Sequence, residues 1–471
     1  MTDADLVIHP GLIVQSQGIT SGSIAIKDGK IIAITDGPYT GSTREVIDEP
    51  ELAALPGLID PHTHMRDPGM TKAEDWTTGT RAAAAGGVTT VLEHPNTVPP
   101  ASTIEGFNYK KKIASSKAIV DFGLIAGAGE ENLDDIEALA RAGAVAYKTF
   151  MLPRTGPSLI GCTTTDDGVL YELFAAVGRT GRPHNVHAES HPLVRHFGQV
   201  LSDQGRCAPT DHAPARPVVS EVEAFVRAMT LAGPTGVRLN FVHASSGSAV
   251  DRVLLFREAG LANVTIETCP HYLLLTSERM GEVGPYAKVN PPLRSEAERA
   301  RLWENLQAGA IATIGSDHAP HPRNDIERGW NDITASPGGS PGLALMLPVL
   351  LTQVDSGHID LPTLTRLTSE NVARLYGLYP RKGTLTIGAD ADIVLVDLRA
   401  HHIVAQNQLH TKDPRISRMW EGYSTVGTPV MTIVRGRVVM RNGEVVGKSG
   451  YGQFIAPSSL SENQANDSVV N

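Results

Sequence analysis

Cysteine is scarce in this chain: three in 471 residues, Cys162, Cys207 and Cys269. An odd and sparse set excludes a disulfide scaffold and fits a reducing interior. Basic charge is not in excess either. Lysine and arginine number 41 against 51 aspartate and glutamate, a net charge of −10. That balance argues against nucleic acid or an anionic membrane as the main partner. It leaves room for a small anionic substrate, which responds to the local field. No apolar run is long enough to span a bilayer. The opening stretch MTDADLVIHPG is acidic and lacks the basic-then-apolar pattern of a secretion signal. The expectation is a cytoplasmic protein with no membrane and no nucleic-acid partner.

What is present is a chain long enough for two to four domains at about 100–200 residues each, although a barrel can take 250 or more by itself. Both ends carry short alternating strands. GSIAIKDGKIIAITD reads as a hairpin with Asp28-Gly29 at its turn, and TPVMTIVRGRVVMRNGEVV as another with Asn442-Gly443. Neither end can close a sheet alone, so residues 1–55 and 385–455 are expected to pair into one small β-sandwich. Between them, over 56–384, eight apolar runs alternate with helical stretches: LPGLID, VTTVLEHP, AIVDFGLIAG, AVAYKTFM, PHNVHAES, RLNFVHASS, NVTIETCPHY and AIATIGSDHA. This α/β pattern predicts a (β/α)8 TIM-like barrel rather than an open doubly wound sheet. ENLDDIEALARAG predicts a helix with Leu133, Ile136 and Ala140 on one face and Gly143 as its stop. The polar tail, 456–471, is expected to be mobile.

Barrels of this kind carry their reactive groups at the C-terminal ends of the strands. GLIDPHTHMRDPG places His62, His64 and Arg66 at alternating positions after the first run. Strand alternation predicts that all three point the same way, two imidazoles for a metal and a guanidinium for an anion. Lys148 falls late in the fourth run, and His187, His243 and Asp317 end the fifth, sixth and eighth. Four histidines and a carboxylate suit zinc or a similar divalent ion. Lys148 has no lone pair as an ammonium and cannot ligate. It is either a neutral or salt-bridged amine in the interior or, after adding carbon dioxide, a carbamate; the residues alone leave both open.

The blocks PGLIDPHTHMRDPG, YKTFM, VHAES, FVHASS, ETCPHYLLL, YAKVNPPLR and GSDHAPH, in this order, resemble the cyclic amidohydrolases of the amidohydrolase superfamily: dihydroorotases, allantoinases and hydantoinases. The resemblance runs from about Leu52 to Gly447. It implies two divalent ions, one held by His62, His64, Lys148 and Asp317, the other by His187, His243 and a shared, carbamylated Lys148. It implies a bridging hydroxide attacking a cyclic amide carbonyl, with Asp317 relaying a proton to the ring nitrogen. It also implies a homodimer or homotetramer. A non-catalytic scaffold relative would have lost ligands; here the set is complete.

The resemblance further implies which ring is bound. Dihydroorotases grip the substrate carboxylate with residues that correspond here to Arg66, Asn96 in HPNT and His321 in SDHAPH, and Asn290 in KVNPPLR matches a position contacting the ring. Hydantoinases usually place a tyrosine five residues after the bridging lysine, where this chain has Pro153. Allantoinases usually lack the arginine. His94 replaces the usual methionine of MPNT, and the ETCPHYLLL and YAKVNPPLR stretches read equally like allantoinase. The expectation is an anionic cyclic amide, dihydroorotate first, with allantoin or another 5-substituted or carboxylated ring as the alternative. The Gly-, Pro- and Thr-rich segment 151–168 is read as a lid over the site, with an ordinary surface loop as the alternative.

Overall fold

The computed structural model describes residues 3–405 and 409–458. Most of the tail expected to be mobile lies outside the described residues. Eight parallel strands form the central sheet in chain order: Leu58–Thr63, Val88–Glu93, Asp121–Gly127, Ala146–Phe150, Pro183–His187, Arg238–Phe241, Val264–Thr268 and Thr313–Ile314. Seven of them fall within the expected apolar runs, and the first, Leu58–Thr63, begins in LPGLID and continues three residues beyond it. A bridge between Thr63 and His318, with the His64 amide donating to the His318 carbonyl at 2.8 Å, brings the last strand's continuation against the first. The architecture is a (β/α)8 barrel. Strand residues such as Val91, Leu124, Val186 and Ile266 are buried between the strands and the surrounding helices, as parallel strands covered on both faces require.

The two chain ends combine in one separate nine-stranded sheet. Its path runs Glu444–Val445, Arg437–Arg441, Ser424–Val434, Ile393–Ile403, Thr43–Pro56, Ala4–Gln15, Ser23–Lys27, Lys30–Thr35, with Gly18–Thr20 off the path. Every pair is antiparallel except Ala4–Gln15 with Thr43–Pro56, which the alternating pattern did not anticipate. Both hairpin turns have the positive φ that a two-residue turn needs: Asp28 +50° and Gly29 +75°, Asn442 +52° and Gly443 +79°. Ile8, Ile24, Ile393 and Ile433 share a core belonging to this sheet. Gly57 donates to Asp392 at 2.9 Å, so the sheet passes into the first barrel strand without a break. Beyond the last strand the chain returns to the barrel, where Gln453 and Ile455 bracket Phe122 by main-chain hydrogen bonds of 2.9 and 2.8 Å.

One expected helix differs. Leu133–Asp135 is a 3-10 turn, and the α-helix is Ile136–Arg141. It buries Ile136 and Leu139 and leaves Leu133 38% exposed. Gly143 does end the segment, at φ +101°. Among the described residues, no helix is long and apolar enough to cross a membrane.

Barrel and sheet are tied beneath the strands by a buried charge cluster. Lys382 Nζ lies 2.5 Å from Asp121, which opens the third barrel strand, 2.6 Å from Asp392 and 3.1 Å from Asp390. Arg435 pairs with Asp121, and Lys30 reaches Asp390 at 2.5 Å. Lys382 is fully buried among these carboxylates. Removing it strands negative charges in a dry interior, a loss typically worth about 3–5 kcal/mol. Lys382→Met is expected to lower unfolding stability by that amount in a denaturant titration. A change under about 1 kcal/mol would contradict the role assigned to the cluster.

Candidate metal centre and anion pocket

Alternation does place His62 and His64 on one side, with ring centroids 5.3 Å apart. It does not place Arg66. The strand ends at Thr63, and Arg66 adopts φ +59°; a left-handed turn, not the pleat, brings its side chain to the barrel mouth. His243 (+44°) and Asp317 (+47°) are left-handed too. They follow their strands by two and three residues. Such conformations are uncommon for residues other than glycine and persist where surrounding structure holds them.

Each expected imidazole except His243 has one nitrogen occupied by a partner on its far side. His62 Nδ1 lies 2.7 Å from Glu267 Oε1, and His64 Nδ1 lies 2.9 Å from Asn96 Oδ1. A ring N–H donated to each oxygen leaves Nε2 with its lone pair. Both Nε2 atoms face Asp317 Oδ1, at 3.4 and 3.3 Å. On the other side of the mouth His187 Nε2 donates to Glu189 Oε2 at 3.0 Å, and His187 Nδ1 stands 3.0 Å from His243 Nε2. Carboxylates or carbonyls behind ligating histidines fix tautomer and orientation in metal sites.

Burial sets the electrostatics. It pushes His62 down to about 3 and His64 and His243 well below the usual imidazole value, so all three are neutral near pH 7. Burial alone would raise Glu189; Arg216 beside it, with His187, overcomes this and holds it at about 2. Glu267 is raised by burial to about 8 and Asp60, by burial and by Glu267, to about 7. Lys148, in the fourth strand, is completely buried, and its Nζ has no hydrogen-bond partner. Burial lowers it to about 7 against the pull of Glu267 and Asp317. Burial thus favours the neutral amine, the form that carbamate formation requires.

These features fit a divalent-cation centre. Neutral lone pairs converge with Asp317, and buried polar atoms without partners surround them: Lys148 Nζ, His243 Nδ1, Glu267 Oε2 and Asp60 Oδ2. Cations in their midst would hold the raised carboxyls ionised. A second trio of acids close enough to share an ion, Asp121, Asp390 and Asp392, is instead filled by Lys382.

The residues expected to hold an anion also gather. Arg66 Nη2 donates to His321 Nε2 at 3.0 Å, and Arg66 Nε donates to Pro320 O at 3.1 Å. His321 Nε2 also lies 3.2 Å from the Gly338 carbonyl, so this nitrogen stands between a donor and an acceptor. Asn96 spends its oxygen on His64 and keeps its amide hydrogens. Asn290 Oδ1 is buried without a partner. Arg66 is only 5% exposed. Burial lowers it to about 10, which still leaves it charged at neutral pH. Among the described residues no carboxylate lies within ion-pair distance of it. Asp67 pairs with Lys117 at 2.6 Å and Glu93 with Lys110 at 2.9 Å.

The segment read as a lid leaves the fourth strand with the Met151 amide on His187 O at 3.0 Å. It exposes Pro153–Thr155 and returns to pair Thr163 with Phe150. Ser102, on Ile160 O at 2.8 Å, and Glu131, on the Gly161 amide at 2.9 Å, pin its return. Pro153, exposed and without a hydroxyl, offers no hydrogen bond where hydantoinases usually carry tyrosine.

Sequence reasoning missed the partners behind the ligands, Glu189 and Glu267. A signal existed for each: Glu189 is two residues after His187 in HAES, and Glu267 is the one charged residue of the strand VTIET.

The amidohydrolase family profile matches residues 53–439. An allantoinase of Rubrobacter xylanophilus is 39% identical over 461 residues, covering 97% of this chain and 98% of its own. A dihydroorotase of Methanothermobacter thermautotrophicus is 38% identical over 433 residues, 92% of this chain and 94% of its own. The solved structure of an L-hydantoinase from Arthrobacter aurescens superposes with a TM-score of 0.92 at 35% identity, covering 96% of this chain and all of that one.

Proposed function

The chain belongs to the amidohydrolase family, and from that premise we propose that it hydrolyses the C–N bond of a cyclic amide bearing a carboxylate, with dihydroorotate and N-carbamoyl-aspartate as the first pair. It is an enzyme of the cyclic amide hydrolase group. The observation that carries the substrate class is Arg66, a buried, charged guanidinium in contact with His321 and, among the described residues, with no carboxylate at ion-pair distance. A buried cation is costly unless an anion meets it. A substrate carboxylate would take the remaining Arg66 N–H groups together with Asn96 Nδ2, beside the His321 ring. Arginine's planar fork suits that pairing.

His62, His64 and Asp317 would hold one divalent ion, zinc or a similar metal, and His187 and His243 the other, with carbamylated Lys148 between them. When bound, the ions supply Lewis acidity to the amide carbonyl and acidify water. The chain's own residues do the rest. Asp317, at the rim of the cluster, accepts the proton of the attacking water on a carboxylate oxygen. It then delivers that proton to the ring nitrogen as the C–N bond breaks. The products are a carboxylate and an opened amide, so one water is consumed and no other reactant is needed. Glu267, Glu189 and Asn96 hold the imidazoles in the orientation and tautomer that ligation needs.

A second reading, allantoin or a 5-substituted hydantoin, is favoured by the likeness to the allantoinase and to the L-hydantoinase structure. Purified protein assayed side by side on dihydroorotate, allantoin, hydantoin and dihydrouracil decides between them. The expected result is the largest kcat/KM on dihydroorotate. A larger value on allantoin or hydantoin would replace the first reading with the second.

A further inference from the structure

His94 follows the second strand, where methionine is usual in the MPNT block. Its main chain is pinned on both sides. The amide donates to Thr63 O at 2.9 Å, and the carbonyl accepts from buried Lys110 Nζ at 2.5 Å. The ring lies face to face with His62, with centroids 3.8 Å apart and planes 6° apart, and its centroid is 5.1 Å from that of His64. It is fully buried, yet neither ring nitrogen has a hydrogen-bond partner. Two unpaired nitrogens in a dry interior are unfavourable, which points to a group that the chain itself does not supply.

One nitrogen each of His62, His64 and His94 can be chosen so that all lie within 4.8 Å of one another. The Nδ1 atoms of His62 and His64 are committed to Glu267 and Asn96, and Asp317 Oδ1 stands 3.4 and 3.3 Å from their Nε2 atoms. Resting on the reading of the barrel mouth as a metal centre, we propose that His94 is a further nitrogen ligand for the ion held by His62, His64 and Asp317, so that this ion's shell can close as three nitrogens and one oxygen without Lys148. That donor set suits a borderline ion such as zinc or cobalt(II) in tetrahedral geometry. In the stack, the lone pairs of the His62 and His94 rings run in parallel planes. Ligation therefore requires the His94 ring to turn, and it has no hydrogen bond to break in doing so.

The consequence is particular to this chain. Without Lys148 and His94 this ion would rest on His62, His64 and Asp317 alone, an open three-ligand set. With His94 available, one ion stays. The test uses the full chain as wild type, Lys148→Ala, His94→Leu and the double variant, each loaded with zinc or cobalt(II), freed of excess metal, counted for metal and checked for folding by circular dichroism. The expected contents are about two ions for wild type, about one for Lys148→Ala and almost none for the double variant, with a tetrahedral cobalt(II) absorption in Lys148→Ala. His94→Leu alone is expected to shift the cobalt(II) spectrum and weaken the tighter site at least tenfold. Loss of both ions from Lys148→Ala, or an ion kept by the double variant, overturns the proposal. If the double variant fails to fold, an unchanged cobalt(II) spectrum in His94→Leu overturns it. Wild-type protein that holds no ion removes the metal reading itself, an outcome distinct from the others.

Discussion

Arg66→Met is expected to lower kcat/KM on a carboxylated ring by about 100- to 1000-fold, and on an uncarboxylated ring such as hydantoin by less than about tenfold. The first figure corresponds to about 3–4 kcal/mol at 1.36 kcal/mol per decade, within the range for truncating one partner of a buried, charge-assisted pair. The selectivity follows from the surroundings. Asp67 and Glu93 are already neutralised by Lys117 and Lys110, so no internal ion pair is lost. The bonds from Arg66 to Pro320 O and His321 are lost whatever the substrate, and they account for the smaller, common loss. Methionine keeps much of the apolar stem and therefore the packing of the loop. Steady-state kinetics on paired substrates reads the difference. Equal losses on both rings would show that Arg66 shapes the loop without meeting an anion.

Much of this site could be read from the chain, and the unread parts share a cause. The barrel strands were legible because each apolar run is short, β-branched and bounded by turn residues, and the hairpins because Asp-Gly and Asn-Gly force one turn type. His62 and His64 were legible as a pair through the period of two. Arg66, His243 and Asp317 were placed at the right strand ends, but their left-handed backbones were not foreseeable. Asp and His are among the non-glycine types enriched at positive φ, but that preference is too weak to locate the turns; the packed loops around them impose the conformation. The partners Glu189 and Glu267 went unassigned because a carboxylate acquires meaning only from what it touches, here His187 and His62. The join of Lys382 to Asp121 spans 261 residues, a contact with no local signature. Leu133 was misplaced because a 3-10 turn and an α-turn share the same apolar spacing over so short a stretch.

Asp317→Asn is expected to reduce kcat by about 100- to 10,000-fold on every ring the enzyme opens, the usual range for losing a positioned general base and acid. Unlike the Arg66 substitution, it should not discriminate between carboxylated and uncarboxylated rings, because the proton it moves belongs to the water and the leaving nitrogen, which all these substrates share. Asparagine has nearly the same shape, so the left-handed turn at φ +47° should survive; Asn is among the residues that tolerate that region best. Circular dichroism and melting temperature should therefore stay close to wild type. Asp317 Oδ1 also faces His62 and His64 Nε2, so the substitution weakens a ligand as well as removing a proton acceptor. Metal content measured on the same sample separates the two effects. A full complement of ions with turnover lost assigns the loss to proton transfer, whereas loss of one ion assigns it to ligation. Turnover within about tenfold of wild type, with ions retained, would leave the proton to another group, and His271, whose buried Nε2 lacks a partner and whose imidazole is coupled to Asp317, would be the next residue to replace.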